Sequence, residues 1–248
     1  MGYTGERLII GNEKCGPQTD IYQEHIARYK FAQQFVENKT VMDIACGTGY
    51  GAKILADKAQ EVWGGDISEE AIKIAKEKYS GENVHFRVMD ASELPFDNNS
   101  FDLVVSFETI EHIKDYKSYL FEIKRVLKQG GRLILSTPDK RITRRLGIEN
   151  KFHLKEFNKK ELADILKNDF KLEFFGQRPV AKMSLKQKIL QQMYFIYKRF
   201  GGLGRLASKE RREKIGREIE GLEKDFEVRE EKNEQGYLYM IILADRNN

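Results

Sequence analysis

Val41-Met42-Asp43-Ile44-Ala45-Cys46-Gly47-Thr48-Gly49-Tyr50-Gly51 is the stretch whose reading decides the fold. Residues 40–45 predict a buried strand, which runs into a glycine-rich turn and a helix from about Tyr50. Gly47, Gly49 and Gly51 have no Cβ and tolerate positive φ, so a ligand can lie directly against the backbone. The helix that follows offers its N-terminal N–H groups to a polar ligand. Strand, turn and helix together predict a nucleotide-type cofactor site. The spacing Gly47-x-Gly49-x-x-Ala52 also satisfies a loose dinucleotide fingerprint, so the turn alone leaves the cofactor open. Asp43, four residues before the first glycine, tilts the reading. It would repel a pyrophosphate and tolerate a cationic cofactor or an amino group.

Outward from this turn, Glu61-Val-Trp-Gly-Gly-Asp66 reads as a second strand and Asn83-Val-His-Phe-Arg-Val-Met-Asp90 as a third. Asp66 falls where a carboxylate takes both hydroxyls of a ribose. Three strands thus end in Asp43, Asp66 and Asp90, placing acids along the carboxyl edge of one sheet. Such a set could read a charged amino acid moiety, a ribose diol and an adenine amino group. Further strands are predicted near 101–107, 131–137 and 170–177, with helices near 20–37, 50–59, 69–79, 117–128 and 158–168. This alternation predicts a parallel sheet with helices on both faces. Ser68 before Glu69-Glu70 reads as an N-cap, Asn158 with Glu161 as a capping box, and Gly130-Gly131 as a helix stop.

With these residues in place, the chain resembles the class I S-adenosylmethionine-dependent methyltransferases of the type 11 and ubiquinone-O-methyltransferase-like kind. The likeness rests on Asp43-x-x-x-Gly47-x-Gly49, the acidic end of strand two, and Asp90-Ala91 with Glu93-Leu-Pro-Phe-Asp97. It continues through Ser100-Phe-Asp-Leu-Val-Val-Ser106 and Leu127-Lys-Gln-Gly-Gly-Arg-Leu-Ile-Leu135, covering residues 20–177. It implies a Rossmann-like, seven-stranded, mostly parallel sheet whose last strand, 237–244, enters antiparallel. It also implies S-adenosylmethionine held by Asp43, Ala45, Gly47, Gly49, Asp66, Ile67, Asp90, Ala91 and Phe107. Ala45 stands where many members have glycine. On the first helix Tyr22, His25 and Arg28 share a face that would cover the cofactor's carboxylate or close the pocket. The competing reading packs Ile21, Ile26, Phe31 and Phe35 on the sheet and leaves Arg28 solvated.

Ser106-Phe-Glu-Thr-Ile-Glu-His112 follows the fourth strand at the cofactor edge. In a helical segment Glu108, Glu111 and His112 would share one face. Two readings compete. In one, His112 is a general base oriented by Glu111. In the other, Glu108, Glu111, His112 and His153 hold a divalent cation that activates the acceptor. The Glu-x-x-Glu-His element with a later His is similar to the small-RNA 2′-O-methyltransferases, and its first part to the ubiquinone-pathway enzymes. Tyr3-Thr-Gly-Glu-Arg7, Tyr22 to Tyr29, Ser136-Thr-Pro-Asp-Lys140 and Phe152-His-Leu-Lys-Glu-Phe157 resemble a subgroup associated with glycan biosynthesis.

The 248 residues suit a single domain over 1–248, with a helical insertion at 180–235. No apolar run approaches the roughly 20 residues of a membrane span. Two cysteines, Cys15 and Cys46, make no disulfide framework, and a reducing cytoplasm is the expected setting. The net charge is +4, yet Lys182 to Lys224 holds 12 Lys or Arg against 5 Glu. The basic excess therefore sits in the insertion. Its apolar spacing predicts one helix over 184–200 and a charged one over 208–226. The first reads as core, a dimer contact or a peripheral membrane surface.

The expected reaction is O-methylation of a sugar, glycan or other small hydroxylated acceptor. An RNA 2′-O-methyltransferase with a metal site is the alternative, in which the basic insertion meets nucleic acid. An NAD-dependent oxidoreductase is the remote one. Gly49→Arg is expected to abolish cofactor binding in a protein that still folds.

Overall fold

A computed structural model of the chain describes residues 19–180, 226–230 and 236–247. The strand read from the opening stretch is β1 (Thr40–Ile44), in the middle of an eight-stranded sheet. It pairs in parallel with β2 (Glu61–Asp66) on one side and β4 (Phe101–Phe107) on the other. Outside these lie β3 (Val84–Val88) beyond β2 and β5 (Leu127–Pro138) beyond β4, both parallel. Chain order therefore reverses direction at β1, which opens a crevice at the carboxyl ends of β1 and β4. Beyond β5 come β8 (Gly236–Arg246), β6 (Phe170–Val180) and the short β7 (Arg229–Glu230), giving the order β3-β2-β1-β4-β5-β8-β6-β7. β8 runs antiparallel to both neighbours, as expected for 237–244.

Alternation along the strands separates two cores. Val41, Leu103, Val105 and Ile134 face α1 (Asp20–Ala32), α2 (Tyr50–Ala56) and α3 (Glu69–Tyr79). Met42, Val104, Leu133 and Leu135 face α4 (Tyr116–Val126) and α6 (Lys159–Leu166), which contribute Tyr119, Ile123, Leu162 and Leu166. Burial of both sheet faces explains the near-continuous apolar strands. Ser68 Oγ accepts from Ala71 N–H, and Asn158 and Glu161 form the predicted capping box.

Several boundaries differ from the sequence reading. Gly130-Gly131 does not stop a helix. α4 ends at Val126, β5 begins at Leu127, and pairing jumps from Phe101↔Leu127 to Leu103↔Arg132. Residues 128–131 are thus a bulge, with Gly130 at φ +68°. The segment after Pro138, read as loop, contains α5 (Lys140–Leu146), capped by Asp139 and closed by Gly147. The first helix ends at Ala32 and gives way to a 3-10 turn over Gln33–Phe35. The range read as a helical insertion includes β7, an eighth strand beside Phe175 and Gly176. The helices predicted over 184–200 and 208–226, with their dimer, membrane and nucleic-acid readings, lie outside the described residues apart from Phe226. That residue's carbonyl accepts from Gln177 Nε2 at 2.6 Å. Among the described residues no helix is long and apolar enough to cross a membrane.

β6 ends at Val180 opposite Gly236, where β8 begins. β8 in turn sets Tyr239 against Pro138, the carboxyl end of β5. The chain between 180 and 236 therefore leaves and rejoins the sheet at the same edge as the crevice.

Candidate active site

A cleft of about 330 Å³ occupies the crevice, walled by the Gly47 turn, Asp66-Ile67, Asp90-Ala91, Phe107-Glu108 and His112. A larger hollow of about 520 Å³, beside α4 and α6, holds none of the predicted site residues.

The three glycines of the turn do different jobs. A Cβ on Gly47, at φ +56°, would meet nothing within 4 Å, so this glycine opens to the cleft. A Cβ on Gly49, at φ +85°, would lie 2.7 Å from Ala75 Cβ and 2.8 Å from the Phe86 ring. Gly51 is likewise closed, by the Tyr29 ring. The expectation that Gly49→Arg spares folding is therefore corrected: Gly49 is a close-packing position against α3 and β3. Ala45 also sits in the left-handed region, at φ +56°, where glycine costs nothing and alanine is strained.

Asp66 accepts from Gly47 N–H at 3.0 Å and Ser68 N–H at 2.8 Å, so it ties the turn to the end of β2. Asp90 accepts from Ser92 N–H at 2.7 Å beside Ala91 on the wall. Ile67 is 66% exposed at the lip, while Phe107 is buried with its ring edge-on to Tyr29 at 5.1 Å. Asp43 is fully buried and is not itself on the wall. Both of its oxygens take the Tyr29 hydroxyl, at 3.1 and 3.2 Å. Burial pushes its carboxyl up to about 8, against the downward pull of the Tyr29 bond. Sequence spacing missed Tyr29, which lines the cleft and comes from α1. Among the described lining residues there is no Lys or Arg, while Asp66, Asp90 and Glu108 are all present.

After β4 the chain makes a 3-10 turn over Ile110–His112, not a full helix, and the predicted cluster splits. His112 lines the cleft, and its Nδ1 lies 3.1 Å from the Phe152 carbonyl oxygen. A carbonyl only accepts, so Nδ1 carries the hydrogen and Nε2 is the basic nitrogen of the neutral ring. Glu111 is fully buried beneath the turn, and its Oε2 accepts from the Thr137 hydroxyl at 2.9 Å. Burial, with the Glu108 charge second, pushes its carboxyl well up, and the side chain lies off the cleft wall. The Glu111 carbonyl accepts the N–H groups of Leu154 and Lys155, which fastens the 150–155 loop over the turn.

Glu111, His112 and His153 offer ligand atoms within 4.8 Å of one another. Glu108 does not join them. It sits at φ +50°, its Oε1 accepting from the Ser136 hydroxyl at 2.7 Å and lying 3.3 Å from Arg28 Nη1. Both nitrogens of His153 are engaged, Nδ1 by Glu156 at 2.8 Å and Nε2 by the Asn150 amide at 2.9 Å. Three of the four predicted metal ligands are therefore together, while Ser136 and Arg28 hold Glu108 apart from them.

Arg28 is neither solvated nor on the cleft wall. It is 1% exposed behind Glu108, with its guanidinium 4.6 Å above the Tyr239 ring. Its neighbour Glu24 is also buried, and binds Arg178 of β6. His25 does reach the cleft, where its Nδ1 lies 2.8 Å from the Tyr50 hydroxyl. Burial, with Arg28 second, lowers the His25 ring well below its usual range, so it stays neutral.

A Rossmann-like sheet with an antiparallel strand beside β5 carries an acid-lined cleft over a glycine turn, the arrangement that the resemblance to class I methyltransferases implies. Residues 42–135 match the family model described as a methyltransferase domain. A probable S-adenosylmethionine-dependent methyltransferase of Mycolicibacterium smegmatis is 35% identical over 166 residues, covering 66% of this chain and 62% of that protein. The ubiquinone/menaquinone biosynthesis C-methyltransferase of Desulfotalea psychrophila is 36% identical over 96 residues, covering 38% of this chain and 39% of its own length. Among solved structures, an S-adenosylmethionine-dependent methyltransferase of Thermotoga maritima shares the fold, with a TM-score of 0.61 and 19% identity. That match covers 92% of this chain and 93% of the other. Over residues 42–135 the chain matches a methyltransferase domain, and it spans about three fifths of the length of the first curated relatives it matches.

Proposed function

We propose that the protein binds S-adenosylmethionine in the β1–β4 crevice and transfers its methyl group to the hydroxyl of a small acceptor, with a sugar or glycan as the narrower assignment. The observation that carries the donor reading is the charge of the cleft. Its described walls hold Asp66, Asp90 and Glu108 and no Lys or Arg. That surface repels a pyrophosphate and welcomes a sulfonium, which weighs against a nicotinamide dinucleotide. Gly47 lets the cofactor lie on the turn, Asp66 is placed for the ribose hydroxyls, and exposed Ile67 offers an apolar face for the adenine.

The sulfonium is already activated, so alignment of donor and acceptor supplies much of the rate. What an alcohol acceptor needs besides is a place for its proton. His112 Nε2 supplies that place, since the Phe152 carbonyl fixes the ring's tautomer. Glu111 acts beneath His112, by holding the 150–155 loop, rather than by touching the acceptor. The sugar assignment is supported by the Tyr22 to Tyr29, Ser136 to Lys140 and Phe152 to Phe157 blocks noted in the sequence. The RNA reading keeps Glu111, His112 and His153 within ligand distance of one another, without Glu108.

Thermal-shift and calorimetric titrations with S-adenosylhomocysteine and NAD test the donor. Stabilisation by S-adenosylhomocysteine alone is expected, and stabilisation by NAD alone would reverse the assignment. Radiolabelled methyl transfer to a panel of nucleotide sugars, oligosaccharides, quinols and amines then identifies the acceptor class. Label appearing only on amines or on carbon would overturn hydroxyl methylation.

A further inference from the structure

Arg28 is a buried cation with more hydrogen-bond donors than partners. Its Nε and Nη1 make no hydrogen bond although the residue is 1% exposed. Guanidinium N–H groups left unpaired in the interior are costly, and a buried arginine ordinarily meets a carboxylate through two parallel bonds. Here the only carboxylate at ion-pairing distance among the described residues is Glu108, 3.3 Å away, and that contact falls on an oxygen already taken by Ser136. The pairing is strained on the other side as well. Glu108 is not a glycine, yet its backbone is held at φ +50°.

The cleft has the complementary deficit. S-adenosylmethionine ends in an amino acid, and its carboxylate requires a donor. The described wall offers acids, histidines, the Tyr29, Tyr50 and Thr109 hydroxyls and the backbone of the turn, but no Lys or Arg, so it holds no cation of its own. Arg28 stands directly behind Glu108, which is on the wall, and next in sequence to Tyr29, which is also on it. The Tyr239 ring beneath the guanidinium fixes its plane.

We propose that Glu108 is a positioning residue that occupies Arg28 until the cofactor arrives, and that the cofactor's carboxylate then replaces the Glu108 carboxylate on Arg28. The exchange keeps one negative charge against the buried guanidinium throughout, so no uncompensated cation is exposed on the way. It leaves Glu108 on the cleft wall, no longer against Arg28. This inference rests on the donor reading above and adds to it the route by which the amino acid end is recognised.

Calorimetry with S-adenosylmethionine and decarboxylated S-adenosylmethionine tests it, because the two differ only in the carboxylate. The ratio of their affinities is expected to rise about tenfold in Glu108→Gln, where the competing carboxylate is gone. In Arg28→Met the ratio falls towards one. In the double variant the gain from Glu108→Gln vanishes, which separates exchange on Arg28 from a direct contact by the new amide. If Arg28→Met does not fold, Arg28→Lys replaces it, with a smaller ratio expected because a lysine cannot bind in bidentate fashion. A ratio unchanged in Glu108→Gln, or undiminished in the folded Arg28 variant, overturns the exchange while leaving the donor assignment standing. Failure of the native protein to bind either molecule overturns both.

Discussion

At the residue scale, the turn shows why a glycine motif is not one feature but several. Gly47 opens to the cleft and Gly49 closes against Ala75 and Phe86, although both have positive φ. Gly47→Leu should therefore fold, at a cost of about 1–2 kcal/mol for the left-handed backbone, and lose S-adenosylhomocysteine affinity by about a hundredfold or more. Gly49→Ala should lose several kcal/mol in urea unfolding, since overpacking adds to the backbone strain. Equal stability of these two variants would contradict the assignment. Ala45→Gly removes strain at φ +56° and should stabilise the chain by up to about 1 kcal/mol, net of the greater freedom of the unfolded glycine. Asp43 adds a pH dependence. Its carboxyl is raised to about 8 in the fold against roughly 4 unfolded, so its stabilising effect is complete below pH 4 and is lost as pH rises towards 8. Urea midpoints across that range should fall more steeply for the native chain than for Asp43→Asn; parallel profiles would refute the buried acid. The sequence marked Asp43, Gly47, Asp66 and Asp90 because they sit next to the strand ends in the chain. It could not mark Tyr29 or Ser136, whose roles come from distant segments brought together only by the sheet.

At the element scale, local signals served where the controlling interaction is itself local. The Ser68 cap and the Asn158–Glu161 box were legible because each bond spans three residues. Asn158→Ala should cost about 1 kcal/mol in unfolding free energy, and it should leave cofactor affinity unchanged because α6 packs on the far face of the sheet. A change in affinity would mean that this face communicates with the cleft. Gly130-Gly131 misled for the opposite reason. The same dipeptide that ends a helix also relaxes a strand bulge, and the choice was made by Phe101 and Leu103 pairing across it. The Ser106 to His112 segment was misread similarly, since Glu-x-x-Glu-His has helical spacing. The positive φ at Glu108 prevents that helix and sends its three polar side chains to three different partners.

At the scale of the whole molecule, the positions of the strands were readable from alternation and apolar density, while the antiparallel entry of residues 237–244 was an expectation from the family resemblance. The acceptor was not, because the cleft is walled by α1, the ends of β1, β2 and β3 and the segment after β4, which no single periodicity links. The meeting of β6 and β8 allows a direct test of what the core alone does. Replacing residues 181–235 by a two-residue Asn-Gly turn joins Val180 to Gly236 at a position already paired. That shortened chain should keep S-adenosylhomocysteine affinity within about threefold, even though it gives up β7 and the Phe226 contact. Loss of binding would make the excised segment part of the donor site.

That same pairing has a consequence for inheritance. A segment that departs and returns at facing residues imposes no register on the strands it joins, and the entropy of closing it grows only with the logarithm of its length. Descendants of this chain are free to lengthen, trim or exchange what hangs from Val180 and Gly236 while the donor-binding strands stay in place. The strands that wall the cleft and the segment between Val180 and Gly236 can therefore evolve at different speeds.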